Sequence, residues 1–218
     1  GKGTRKYAFC GGLINLFNNG RSPSYSMTFQ DIFMKAEDSQ DEVVKLCSEL
    51  VQFNSAHPEG RTDECVSYIE KYLNAHNIDN EIHVKEPEKP NIVARVGGSS
   101  HTKTLWVGHL DVVPEGKIEN WLYAPYGGII EEGRVYGRGS SDMKGGCAAA
   151  LVSARILNET DDLENTVEFW FTSDEEIAGR AGGRWLAETD VLKGDVFIIV
   201  DGNGGGLQNP SIDRGCKA

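Results

Sequence analysis

Two runs of strand length, Thr166–Phe171 and Asp195–Val200, are apolar almost throughout, and a strand of that composition has to be covered on both faces of its sheet. Helical signals alternate with them. Val43, Leu46, Cys47, Leu50 and Val51 recur at helical spacing and stop near Asn54, ahead of the breaker cluster His57-Pro58-Glu59-Gly60. A second helix opens near Thr62, carries Asp63 and Glu64 in its first turn and turns Cys65, Ile69, Tyr72 and Leu73 to one face. Strand-like runs follow at Glu81–Lys85, Asn91–Val96 and Thr104–Gly108, and a hairpin is written around Glu131-Glu132-Gly133. Gly146 to Leu157, rich in alanine, reads as a helix packed closely on the sheet. The alternation predicts an α/β fold: a three-layer α/β/α domain with a mixed, largely parallel sheet.

The chain has 218 residues and a formal net charge of -11, which argues against a nucleic-acid surface, because phosphate-binding proteins gather Lys and Arg on one face. No stretch approaches the ~20 apolar residues that cross a bilayer, so no membrane partner is expected. The five cysteines (Cys10, Cys47, Cys65, Cys147, Cys216) are odd in number, scattered and never in C-x-x-C, which points to a reducing, cytoplasmic setting rather than a disulfide framework. Residues 1–36 read as an N-terminal extension. Its apolar run Tyr7–Phe17 is broken by Gly11, Gly12 and Asn15 and lacks a small-x-small cleavage site, unlike a secretory signal. The catalytic domain is placed at 37–209.

Four short segments carry residue types that bind divalent metal. His109 and Asp111 stand two apart after the strand Thr104–Gly108, so in a continuing strand both face the same way: His109 as a metal ligand, Asp111 orienting a ligand or the bound water. Asp142 lies in the Gly-rich turn 136–146, where close backbone approach suits a carboxylate bridging two cations; equally, Ser141 or Asp142 suits the N-cap of the following helix. In Thr172-Ser173-Asp174-Glu175-Glu176 one carboxylate suits a metal and its neighbour a general base, although Ser173-x-x-Glu176 also fits a capping box. Asp201 ends the strand Asp195–Val200 and enters a glycine turn. Ligands of open α/β sheets collect at the carboxyl ends of strands, which is where His109, Glu175 and Asp201 sit. His57, His76, His83 and His101 are read as surface residues, and neither Ser140, Ser141 nor Cys147 has the companions of a nucleophilic triad.

With those residues in place, the chain from about Asp41 onward resembles the co-catalytic zinc hydrolases that include acetylornithine deacetylase, succinyl-diaminopimelate desuccinylase, aminoacylase and carnosinase-type dipeptidases. The likeness is carried by Gly108-His109-Leu110-Asp111-Val112-Val113-Pro114, Trp121…Pro125-Tyr126, Gly137 to Gly145, and Ser173-Asp174-Glu175-Glu176. The resemblance implies that His109 and Asp201 hold one zinc, that Asp142 bridges, and that Glu176 binds the second zinc. It makes Glu175 the general base and Asp111 an orienter, with cobalt or manganese as metals such a carboxylate-rich site also accepts. The implied substrate is an N-acyl amino acid or related small acylated amine; the alternative is a dipeptide. In deacylases of that family the position of Asp201 is usually Glu, and Asp belongs to the dipeptidase and aminopeptidase branches.

In that family the last metal ligand is a His beyond an inserted lid, which usually also forms a homodimer. Residues 210–218 resemble the first strand of such a lid. On this expectation the chain supplies three ligands to one metal (His109, Asp142, Asp201) and two to the other (Asp142, Glu176). A catalytically incomplete fragment, or a module binding a single metal, is the reading from another functional class.

Overall fold

The side chains that repeat at helical spacing come together around one helix. In a computed structural model, which describes residues 27–98, 102–160, 163–199 and 201, Gln40–Val51 (α2) buries Leu46, Cys47, Leu50 and Val51. Ahead of it, Phe29–Asp38 (α1) starts in a capping box between Thr28 and Asp31, so its first turn is satisfied locally. This helix runs across position 36, where the extension was taken to end. Asp63–Ala75 (α3) has its two acids at the dipole-favoured end and buries Cys65, Val66, Ile69 and Leu73. Lys144–Asn158 (α4) packs its alanine-rich face on α2 and the sheet.

The main sheet consists of Asp79–His83 (β1), Asn91–Gly97 (β2), Lys103–His109 (β3), Thr166–Thr172 (β6) and Val196–Ile199 (β7), in the order β1-β2-β6-β3-β7. β1 with β2 and β2 with β6 pair antiparallel, while β3 pairs parallel with both β6 and β7. The sheet is therefore mixed. A separate hairpin joins Ile129–Glu131 (β4) to Arg134–Tyr136 (β5) through Glu132 and Gly133, both at positive φ as a two-residue primed turn requires.

Side-chain alternation along the strands divides the core in two. Ile92, Ala94, Val96, Phe169 and Phe171 face α2, α3 and α4, whereas Val93, Leu105 and Trp170 face Leu186 of the short helix Gly183–Glu188 (α5). Three layers result. Glu168, nearly inaccessible on the second face, is satisfied by Arg95, Lys103 and the Trp170 indole N–H. Among the described residues, no helix is long and apolar enough to cross a membrane.

β7 departs from its predicted burial. Val196 and Ile199 are exposed, so β7, which lies at the edge of the sheet among the described residues, is not covered throughout on both faces. β1 begins two residues earlier than expected, its register set by pairing Asp79 with Arg95 through His83 with Asn91. Residues 1–26 of the segment read as extension (1–36), the segment read as the start of a lid (210–218), and Cys10, His101 and Cys216 lie outside the described residues. Cys47, Cys65 and Cys147 are buried free thiols.

Candidate metal centre

Parallel pairing of β3 with its neighbours brings three strand ends together. His109 is the last residue of β3 and lies opposite Thr172, the last of β6, while Asp201 follows β7, whose Ile199 pairs with Val107. The His109 ring is buried. Its Nδ1 donates to the main-chain carbonyl of Asp111 at 2.9 Å, which leaves Nε2 facing Oδ1 of Asp142 at 3.1 Å and Oε2 of Glu175 at 3.8 Å. An imidazole held at Nδ1 by a carbonyl has Nε2 free for a metal or a proton.

Asp142 reaches this point from the turn that precedes α4. Gly139 sits there at φ +87, with Val112 and Lys144 so close that a Cβ would fall 2.7 Å from Val112 Cγ1. α4 begins after Met143 without a side-chain cap, so the capping role open to Asp142 and Ser141 is not taken up. Ligand atoms of His109, Asp142 and Asp201 all lie within 4.8 Å of one another. Lys144, fully buried, donates from Nζ to Phe53 O at 2.7 Å.

Glu175 and Glu176 occupy a short 3₁₀ turn bounded by two left-handed residues, Asp174 (φ 66) and Ala178 (φ 81). The capping box foreseen for Ser173 and Glu176 does not form, since the Ser173 hydroxyl donates to Pro90 O. Glu176 is thereby left available. Asp174 is pinned instead: Oδ1 to Lys89 Nζ at 2.7 Å and Oδ2 to the Ala181 N–H at 3.2 Å.

Asp111 is inaccessible to solvent, and its carboxylate accepts the backbone N–H groups of Glu175 (3.0 Å) and Glu176 (3.1 Å). Strand β3 ends at His109, so the orienting contact to the imidazole comes from the Asp111 carbonyl, with Oδ1 further away at 3.6 Å. One reading from sequence needs correction. His57, taken as a surface residue, is 8% exposed and places Nε2 2.8 Å from Asp111 Oδ2. Fifty-four positions separate the pair, and no local pattern around His57-Pro58 signals the contact; a bridge between Ala56 and Val112 creates it.

Electrostatics favour a cation here. Burial opposes charge on His109, but Asp111, Glu175 and Asp142 outweigh it and raise the imidazole above its ordinary range. Burial and the neighbouring Asp142 push up both Glu176 and Asp201, only partly offset by His109. Carboxylates that raise one another around a single imidazole form an under-neutralised cluster, and oxygen donors with one imidazole nitrogen suit zinc, cobalt or manganese. Residues fit the metal that the sequence implies. Cys147 makes no nucleophile: it is fully buried, its thiol donates to His109 O, and burial drives its titration far upward.

Beside the cluster lies a cleft of about 380 Å³, lined by Val107, His109, Met143, Glu175, Arg184 and Asp201 among others. A family model described as Peptidase family M20/M25/M40 matches residues 105–213. The chain is 32% identical to an uncharacterized metallohydrolase of Methanocaldococcus jannaschii over 75% of its own length and 44% of that protein. A probable succinyl-diaminopimelate desuccinylase of Staphylococcus aureus is also 32% identical, over 78% of this chain and 42% of the relative. Among solved structures, a metallo-carboxypeptidase from Sulfolobus solfataricus superposes with a TM-score of 0.65 at 27% identity, covering 75% of this chain and 38% of that one. Human carnosine dipeptidase 1 shares the fold, with a TM-score of 0.62 at 22% identity over 79% and 41% of the two chains. The chain spans less than half the length of the curated relatives it matches.

Proposed function

We propose, from the premise that this chain belongs to peptidase family M20/M25/M40, that it supplies most of the catalytic centre of a metal-dependent amide hydrolase acting on N-acyl amino acids or similar small acylated amines. The observation that carries this reading is the convergence of His109, Asp142 and Asp201 within 4.8 Å, beside a turn that carries two more acids. His109 and Asp201 would hold one metal, Asp142 would bridge, and Glu176 would hold the second, with zinc as the ion. By the family resemblance the remaining ligand is a His outside this chain, next to a lid through which a homodimer forms.

Divalent metal at this position would polarise the substrate carbonyl and acidify water. Glu175 would take a proton from the attacking water and return it to the amine as the C–N bond breaks, so that amide and water become carboxylic acid and amine without a covalent enzyme intermediate. Its carboxylate reaches toward the cluster, 3.8 Å from His109 Nε2, while its backbone N–H is held by Asp111. Asp111 orients: one residue fixes the imidazole through its carbonyl and the base-bearing turn through its carboxylate.

Desuccinylase names among the relatives favour an N-acyl substrate. Asp201 in place of Glu favours the second reading, a dipeptidase. Cleavage of succinylated and acetylated amino acids measured against free dipeptides, with the full-length protein, separates the two. In that protein Glu175→Gln is expected to retain its metal and lose at least about 10²-fold in turnover. Undiminished turnover would remove Glu175 from the base role. Elemental analysis of this chain is expected to find zinc that His109→Ala loses; the same zinc content in both would defeat the ligand assignment.

A further inference from the structure

We propose that His57 is a positioning residue of the metal centre, acting through Asp111 on both the His109 imidazole and the turn that carries Glu175 and Glu176. The inference rests on the metal-hydrolase reading above. Its warrant is the number of segments that meet at residue 111. An ionised carboxylate offers only acceptors, so the 2.8 Å contact has His57 donating from Nε2 to Oδ2. The same carboxylate receives the N–H groups of Glu175 and Glu176 from the turn after β6, and the Asp111 carbonyl receives Nδ1–H of His109 from the end of β3. His57 adds the side-chain donor from a third segment, the loop after α2.

That loop is fastened to the same stretch it supports. His57 N donates to Val112 O at 3.2 Å, Val112 N to Ser55 O at 3.1 Å, and the Ser55 hydroxyl to Leu110 O at 2.6 Å. The imidazole packs closely against Gly60, where a Cβ would come within 2.4 Å of its Cε1. Its other nitrogen, Nδ1, is buried with no hydrogen-bond partner among the described residues. Leaving that atom unpaired costs free energy, so an apolar side chain would fill the space better. What the imidazole offers in return is the bond to Asp111, and outer partners of this kind set the orientation and affinity of a metal ligand.

The test strips the 218-residue chain of metal with a chelator and titrates Co²⁺, following the visible absorption of the bound ion, for the wild type, His57→Leu, His57→Gln and His109→Ala. His57→Leu is expected to bind about tenfold to a hundredfold more weakly, with an altered spectrum, and His57→Gln, which keeps an N–H donor, to recover most of the loss. His57→Leu with the wild-type affinity and spectrum, beside a His109→Ala chain that binds no ion, overturns the inference and leaves the metal reading intact. Equal binding by wild type and His109→Ala defeats the metal reading and this inference with it; if neither binds, the same titration on the full-length protein decides, and wild-type affinity and spectrum in His57→Leu there overturn the inference. Should His57→Leu fail to fold, ¹⁵N-histidine labelling of the wild type decides: the His57 Nε2 resonance is expected to move on Zn²⁺ addition, and an unmoved resonance overturns the proposal.

Discussion

Lys89→Met removes the cation that lies 2.7 Å from Asp174 Oδ1, and its cost can be worked from the structure. The side chains of Lys89 and Asp174 are 13% and 3% exposed, so solvent does little to screen the pair. At that separation two unit charges attract by about 6 kcal/mol at an effective dielectric of about 20, against which the desolvation of both ions must be set. Losing one partner of a buried pair typically costs about 3–5 kcal/mol, because the survivor is left charged and unpaired. Asp174 keeps the Ala181 N–H, which places the expected loss near the lower figure, about 3 kcal/mol. For a domain of this size that is a fall in melting temperature of about 6–12 °C.

The assay is urea denaturation of the two single variants and the double. Lys89→Met should move the midpoint without changing the slope. Asp174→Asn should be the rescuing partner: its amide oxygen still accepts from Ala181, Asn tolerates the left-handed backbone at φ 66, and no charge remains to be buried. The double variant is expected within about 1 kcal/mol of the wild type, so the coupling energy is large and favourable. A loss below about 1 kcal/mol in Lys89→Met, or a double variant as unstable as that single one, would refute the argument that this ion pair holds the turn carrying Glu175 and Glu176.

Leu50→Ala, at a fully buried position of α2, should cost about 2–5 kcal/mol in the same denaturation assay. Gly128→Ala puts a Cβ 2.3 Å from the backbone oxygen of Ser48 at φ +59, and a loss of at least about 1–2 kcal/mol is expected there; a neutral result would mean the hairpin moves freely against α2. The pH dependence of the metal-free chain follows from three shifts of one sense. His109, Glu176 and Asp201 all titrate above their ordinary values in the folded chain, so the native state holds more protons than the unfolded state and stability falls as pH rises. His109 therefore stabilises fully below 6.5 and loses that contribution as pH climbs through its raised value, while the two acids become destabilising as they ionise. Melting in the presence of chelator should thus rise on acidification from about pH 8 to about pH 5, and saturating Zn²⁺ should reverse the trend; a fall without metal would contradict the cluster's electrostatics.

Helices and strands were legible from sequence because their signals are local. The spacing of Leu46, Leu50 and Val51 and the apolar run Thr166–Phe171 state period and burial within a few residues, and α2 and β6 form where they predict. The glycine turn before α4 and the acids after β6 were legible as chemistry for the same reason: residue type and position at a strand end suffice to name them. By itself the sequence determined the α/β class and the family, and it singled out His109, Asp142 and Asp201, which the fold then brings within 4.8 Å of one another.

What it left open was every choice made across distance. Ser173-x-x-Glu176 satisfies a capping pattern, yet Pro90 O takes the Ser173 hydroxyl and leaves Glu176 for the cluster, because a segment 83 positions away supplies the better acceptor. Whether β7 is covered on both faces depends on what packs above and below the sheet there, which its own residues do not encode, and Val196 and Ile199 are exposed. His57 looked like a loop histidine until the bridge between Ala56 and Val112 carried it onto Asp111. A hydrogen bond is decided at about 3 Å, and the register that brings two groups that close belongs to the packed chain as a whole.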